Sequence, residues 1–232
     1  MIRYSTGLRI FRWLFWVPII SGAITAIARI WSRHLRWRSH LRTFQFDGVI
    51  DGGANIGEFS QVVRDVLPNA HLLCIEPNPA CAAYLRKQGY EVIQAALWNE
   101  KTTLNLFQDG PSTTGTVINA GLGDHATKVV AIRLRDLDIR GERLLIKLDL
   151  QGAEPFALEA LGDLEKRCAG FLVEVSLPPH GTYESLNHFF ISKGYVQFAS
   201  VNELFSDVHQ VEADILWIKK AILSPNQVDS GD

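Results

Sequence analysis

Cysteine is scarce: Cys74, Cys81 and Cys168 are the only three in 232 residues. They form no Cys-x-x-Cys pair and stand in no cysteine–histidine cluster. That excludes a disulfide framework and a structural zinc site, and it fits a reducing compartment. Long apolar runs are missing too. The uncharged run from Trp13 to Ala28 has 16 residues, short of the ~20 a helix needs to span a bilayer. Pro18 and Gly22 interrupt it. Repeats and low-complexity stretches are absent. With 47% hydrophobic residues the chain is neither disordered nor fibrous. Acid is missing from residues 1–46, which hold eight arginines: Arg3, Arg9, Arg12, Arg29, Arg33, Arg36, Arg38 and Arg42. The rest of the chain carries 15 basic against 25 acidic residues, so a net charge of −2 hides a basic arm on an acidic body.

Four of the six tryptophans (Trp13, Trp16, Trp31, Trp37) lie in that arm. Three readings of it compete. One or two helices could pack on the body and cover part of its site. Apolar bulk, interfacial tryptophan and flanking arginine also suit a peripheral membrane anchor. Ala26-Ile27-Ala28 resembles a secretory cleavage site, but arginines follow it closely. Residues 29–44 read as a basic amphipathic helix, a weak signal for nucleic acid, and no nucleic-acid partner is expected. The expected location is cytoplasmic, with peripheral attachment at the inner face of a membrane if the arm touches lipid.

The body alternates strand and helix patterns. Phe46–Asp51, His71–Ile75, Glu91–Ala95, Thr102–Phe107, Lys128–Leu134, Leu144–Leu148, Gly170–Ser176, Tyr195–Ser200 and Asp214–Lys219 read as strands. Glu58–Leu67, Ala80–Gln88, Glu154–Leu164 and Tyr183–Lys193 read as helices, the first with Phe59, Val62, Val63 and Val66 on one face. This predicts an α/β fold with a mostly parallel sheet. The long polar stretch Gln108–His125 is a candidate lid, and with Pro178–Thr182 a candidate acceptor loop. The chain divides into a basic helical segment 1–44, an α/β domain 45–222 and a polar tail 223–232 that frays.

Ligands of open α/β sheets bind beyond the carboxyl ends of the strands. Asp51-Gly52-Gly53-Ala54-Asn55-Ile56-Gly57 stands at such an end, before a helix. Glu76 closes the next strand, where a carboxylate can accept both hydroxyls of a ribose. A dinucleotide needs Gly-x-Gly-x-x-Gly for its pyrophosphate, and Ala54 breaks that pattern. S-adenosylmethionine has no phosphate. Its amino-acid end and sulfonium favour a carboxylate after the strand, here Asp51, and Asn55 can bond the amino-acid end.

VIDGGANIGEFS, then IEPNP, then KLDLQGAE resemble the FkbM-type S-adenosylmethionine-dependent methyltransferases in order and spacing, over about residues 45–220. The resemblance implies a Rossmann-like class I methyltransferase fold, with a seven-stranded mostly parallel sheet whose last strand runs antiparallel. It implies S-adenosyl-L-methionine as cofactor and methyl transfer to a hydroxyl of a sugar, glycan, lipid-linked or natural-product acceptor. Carried over by position, Asp51, Gly53, Ala54, Asn55 and Gly57 surround the methionine end, and Glu76 with Pro77 the ribose. Ala96 and Leu97 flank the adenine, where Trp98 could stack or simply pack. Asp149, Gln151 and Glu154 match the third motif. Gln151 stands where many members have Glu, which weakens any role needing a second negative charge, such as metal binding.

Taking a proton from an alcohol calls for a base or a metal. Candidates are Asp149, Glu154 and Glu174, then His180 and His209. Asp149 and Glu174 end adjacent strands and are expected to face one crevice. Glu154 could equally be a first-turn acid favoured by the helix dipole. Lys147 points the same way as Asp149 by period-two alternation, so an ion pair is as reasonable as a catalytic lysine. Mg²⁺ between paired carboxylates is the unfavoured alternative. An NAD-dependent oxidoreductase and a non-catalytic binding module on the same fold are the competing functions.

Overall fold

A computed structural model describes residues 37–108, 115–118, 126–176, 181–206 and 209–224, of which 108, 201–206 and 209–211 are described by their backbone alone. The run Trp13–Ala28, most of Gln108–His125, His180 and the tail beyond residue 224 lie outside the described residues.

Short apolar runs with period-two alternation build the centre. The strands are β1 (Gly48–Gly52), β2 (His71–Ile75), β3 (Glu91–Ile93), β4 (Ala96–Leu97), β5 (Thr102–Gln108), β6 (Gly115–Thr116), β7 (Ala126–Ile132), β8 (Leu144–Leu148), β9 (Cys168–Ser176), β10 (Tyr195–Ser206) and β11 (His209–Lys219). Seven form one sheet in the order β10-β11-β9-β8-β1-β2-β3. The pairs β1–β2, β2–β3, β1–β8 and β8–β9 are parallel, while β11 runs antiparallel to both β9 and β10. The chain leaves β1 toward β2, then returns to place β8 on its other side. That reversal opens the crevice in which such sheets bind ligands.

Alternation sorts the side chains onto two faces. Ile50, Ile146, Phe171 and Trp217 enter one buried cluster, and Val49, Leu145, Leu172 and Leu216 the other. On the first face lie α4 (Glu154–Glu159) and α5 (Tyr183–Ser192), through Ala157, Leu158, Leu186 and Phe190. The second face receives α2 (Glu58–Val66) through Val62 and Val63. It also receives helix α1, described over residues 37–44, through Trp37, Leu41 and Phe44. The end of the basic segment is therefore part of the packed core. α3 (Pro79–Lys87) starts where proline fits the first helical position and the Asn78 side chain accepts the N–H groups of Ala80 and Cys81 at 2.9 and 3.4 Å.

Two sequence expectations change. Thr102–Phe107 and Lys128–Leu134 do not join the main sheet. β4, β7, β5 and β6 form a second, four-stranded sheet in which β5 and β7 are antiparallel. No helix crosses over between β5 and β7 among the described residues, and without a crossover neighbouring strands pair antiparallel. The helix expected over Glu154–Leu164 stops at Glu159, and a 3-10 turn, Gly162–Arg167, follows. Gly162 sits at φ +55°, which an α-helix does not allow.

Candidate functional site

The turn after β1 is held by the strand beside it. The N–H groups of Gly53 and Ala54 both donate to the Ile75 carbonyl, at 3.0 and 3.2 Å. Gly53 has φ +70°, and a Cβ there would stand 1.9 Å from the Asp149 carbonyl oxygen. Only glycine lets the ends of β1 and β8 come this close. Gly57, at φ +87°, precedes α2, and a Cβ there would meet Leu85 at 2.7 Å. Asn55 also takes a positive φ, 49°, and its N–H donates to Glu76 Oε2 at 2.7 Å. The other oxygen, Glu76 Oε1, accepts the Asn78 N–H at 2.7 Å. Burial pushes the Glu76 carboxyl above its ordinary value, against the pull of those two amides.

Asp51 lies beneath the turn with no exposed surface. Its Oδ2 accepts the Ser60 hydroxyl at 2.5 Å, and its Oδ1 lies 3.3 Å from Lys147 Nζ. Lys147 links both motif strands. Its ammonium is 3.4 Å from Asp149 Oδ2 and donates to the carbonyls of Gly53 and Gly52 at 2.9 and 3.3 Å. Burial works against its charge, but Asp149, Asp51 and Asp214 outweigh burial and raise its pKa.

Beyond β8, the amide of Gln151 donates to Asp149 Oδ1 at 3.1 Å and to Glu174 Oε2 at 2.9 Å, so one side-chain nitrogen bridges two carboxylates. Burial would raise the Asp149 pKa, but Lys147 and the hydrogen bonds of Gln151 and Glu174 hold it below its ordinary value. Burial and the charges of Asp149 and Asp214 push Glu174 up to about 9. At neutral pH the pair thus carries one proton, on Glu174. Glu154 does not face this pair. Its Oε1 accepts the N–H groups of Leu150 and Gly152 at 2.6 and 3.3 Å, which ties down the turn that presents Asp149.

Two adjoining clefts open at the carboxyl ends of the strands. The first is lined by Gly53, Asn55, Glu76, Pro77, Ala96, Leu97 and Asp149, with Leu106 and Val117 from the second sheet's side. Next to it, the second cleft is lined by Lys147, Asp149, Glu174, Asp214, Glu58, Trp37, Phe59 and Leu172. They share Gly53, Asn55 and Asp149. Of the turn residues, Ala54 lines the second cleft, and Asp51 and Gly57 line neither. Trp98 stacks on Phe156 at 4.2 Å, a packing contact. The side chain of His209 lies outside the described residues. Sequence reading missed Trp37, Glu58 and Asp214. Asp214 carried a signal: with Glu212 it stands at period-two spacing before the apolar run Ile215–Ile218, and it is the cross-strand partner of Glu174.

The strand order, the antiparallel last strand and the glycine turn facing a carboxylate define the class I fold of S-adenosylmethionine-dependent methyltransferases. The chain belongs to the FkbM methyltransferase family: the Methyltransferase FkbM domain matches residues 51–210. Among solved structures, the methyltransferase FkbM of Methylobacillus flagellatus aligns at 14% identity with a TM-score of 0.49, over 73% of this chain and 44% of that one. The precorrin-6y C5,15-methyltransferase of Geobacter metallireducens aligns at 16% identity and TM-score 0.46, over 78% and 84% of the two chains. The M. capricolum TrmK complex with S-adenosyl-homocysteine aligns at 9% identity and TM-score 0.41, over 84% and 74%. No curated protein matches the chain significantly. Trp37 and Asp214, both on the second cleft, lie outside the matched stretch.

Proposed function

We propose that the first cleft takes S-adenosylmethionine and the second takes the acceptor, and that the reaction is methylation of a hydroxyl on a sugar, glycan or lipid-linked compound. The observation that carries this reading is the shared wall: the two clefts meet at Asp149. The first cleft fits the cofactor by the chemistry of its lining. Ala96, Leu97, Leu106 and Val117 offer an apolar seat for a purine, and Glu76 stands beside them as an acceptor for ribose hydroxyls. Asn55 and the Gly53 turn border the methionine end. Bound there, the cofactor supplies an electrophilic methyl group.

The chain's own residues then orient and deprotonate. The acceptor oxygen forms its bond to carbon as the carbon–sulfur bond breaks, and its proton leaves to Asp149. Asp149 is a weak base, held below the ordinary carboxylate range. It suffices because an oxygen gaining a methyl group becomes strongly acidic, so proton loss needs a placed acceptor more than a strong one. Glu174, protonated, and Gln151 fix the direction in which Asp149 points. Mg²⁺ does not fit this pair well, because the Gln151 amide donates to the carboxylate oxygens a cation would use. Among the described residues no three His, Cys, Asp or Glu side chains are grouped to hold a metal ion.

Calorimetric titration with S-adenosylhomocysteine and with NAD tests the donor half. Micromolar binding of the first and none of the second is expected, and the reverse would sink the reading. Labelled methyl from S-adenosylmethionine tests the bond formed. A hydroxyl acceptor gives a methyl ether stable to mild alkali, whereas methanol release would show an ester. A lipid-linked acceptor is favoured by the arginine- and tryptophan-rich arm. Among the described residues no helix is long and apolar enough to cross a membrane. Removal of residues 1–36, which keeps the core contacts of Trp37, Leu41 and Phe44, is expected to abolish partition onto anionic liposomes.

A further inference from the structure

The second sheet reaches the turn that carries Gln151. Strand β6 pairs antiparallel with β5, with Thr116 opposite Phe107 and Gly115 opposite Gln108. Gly115 and Val117, on either side of Thr116, line the first cleft. Thr116 itself is buried, and its hydroxyl is used twice. It donates to the Gln151 carbonyl at 3.0 Å and accepts the Ile118 N–H at 3.0 Å. Gln151 needs holding. Its φ of +55° lies in the left-handed region, which a residue with a Cβ adopts only where its surroundings fix it. Gly152 follows at φ +97°. Glu154 grips this turn by its N–H groups, at Leu150 and Gly152. Thr116 grips it by a carbonyl, from the other sheet. Between these two grips the Gln151 amide is aimed at Asp149 Oδ1 and Glu174 Oε2, at 3.1 and 2.9 Å. Rotation of the Gln151 backbone would swing the amide off those lines, and a hydrogen bond weakens steeply as its angle closes.

We propose that Thr116 is a positioning residue: its hydroxyl holds the Gln151 carbonyl, and through that turn the amide that orients Asp149 against Glu174. The second sheet then does more than wall the first cleft. One of its strands sets the geometry of the group that takes the acceptor's proton. This role rests on the reading of Asp149 as that group, and it falls to a residue outside all three sequence motifs.

The test uses the full chain, labelled with ¹⁵N in its glutamine side chains and free of ligand. The Gln151 NH₂ signal is assigned by its loss in Gln151→Met. Two variants then separate the hydroxyl from packing. Thr116→Val keeps the shape and removes the hydroxyl, while Thr116→Ser keeps the hydroxyl and removes a methyl group. In the parent, the amide protons shared between two carboxyl groups should stand apart from those of free glutamine and exchange slowly with water. In Thr116→Val the signal should move to the free position and exchange should quicken by about tenfold, the hold of one hydrogen bond. Thr116→Ser should keep the parent signal. A Val variant with the parent signal overturns the proposal. So does a Ser variant disturbed as much as the Val variant, which would assign the effect to packing, and so does a parent signal already at the free position. Thr116→Ala is read in the same way if Thr116→Val does not fold. Titration of S-adenosylhomocysteine into the same samples reports on the first cleft. No binding in the parent sinks the donor reading and leaves the ligand-free Gln151 result standing, so the two failures are told apart.

Discussion

In the first cleft, Glu76 receives two backbone N–H groups at 2.7 Å, from Asn55 and Asn78. In the second cleft, Glu174 faces Asp149 and Asp214 and finds a side-chain amide, Gln151, at 2.9 Å. Both carboxyls are pushed up by burial. They differ in what answers the burial. Glu76 is answered by main chain, whose direction is set by a local turn and by Pro77-Asn78 next to it. Glu174 is answered by side chains from other strands and by keeping its proton. Main-chain donors make a fixed site for one ligand, and side-chain charges make a site whose state depends on pH and partners.

Lys147 is the joint between the two sides, and removing it gives the largest expected effect. Lys147→Met leaves Asp51 with no exposed surface and no counter-charge. Breaking a buried pair in this way costs about 3–5 kcal/mol, and a drop of that size in urea unfolding is expected. Asp51→Asn in the same background should recover part of it, and additive losses would show that the pair is not coupled. Next is Gly53→Ala. The substitution meets the Asp149 carbonyl and adopts a φ of +70°, so a stability loss of at least about 1–3 kcal/mol is expected. Affinity for S-adenosylhomocysteine should fall with it, and a variant of unchanged affinity would show that the turn is not the donor seat.

Glu76→Gln acts on the donor side alone. One of its two oxygens becomes an NH₂ group that faces an N–H donor. A loss of about tenfold in affinity for S-adenosylhomocysteine, ~1.4 kcal/mol, is expected by calorimetry. An unchanged affinity would show that Glu76 does not face the bound ligand.

The same contrast explains what the sequence shows and hides. The donor side is contiguous: Asp51–Gly57 and Glu76–Pro77 each lie in one short run, and turn chemistry is local enough to read. The strands of the main sheet are marked by alternating patterns, and the family by three motifs, whose resemblance implies the seven-stranded sheet with its antiparallel last strand. The split of β4–β7 into a second sheet is not legible, because pairing depends on which long-range edge each strand meets. Asp51 reads as a ligand-facing acid by its place after the strand, and only packing shows it turned under the loop toward Ser60 and Lys147. Trp37 lies before the motifs and Asp214 after them, and only the antiparallel register of β11 with β9 brings Asp214 to Glu174. Glu154 shows the limit of reading roles from motifs. It is buried and bonded to the main chain of its own turn, so its part is to shape the support of Asp149.

Glu174→Gln is the substitution that tells most about the second cleft. The carboxyl has a folded pKa of about 9 against about 4.3 unfolded. Between those values the folded chain binds more protons than the unfolded chain, so stability falls as pH rises through that window. Glu174→Gln removes this dependence, and the variant should gain on the parent steadily from pH 5 to pH 9 in thermal unfolding. In methyl transfer, the parent should lose activity above about pH 9, where Glu174 ionises beside Asp149. The variant keeps a neutral group there at every pH, so this upper limb should vanish while affinity for S-adenosylhomocysteine stays unchanged. An upper limb that survives the substitution would move the proton from Glu174 to another group, and the acceptor cleft would then owe its charge balance to residues outside the β9–β11 pair.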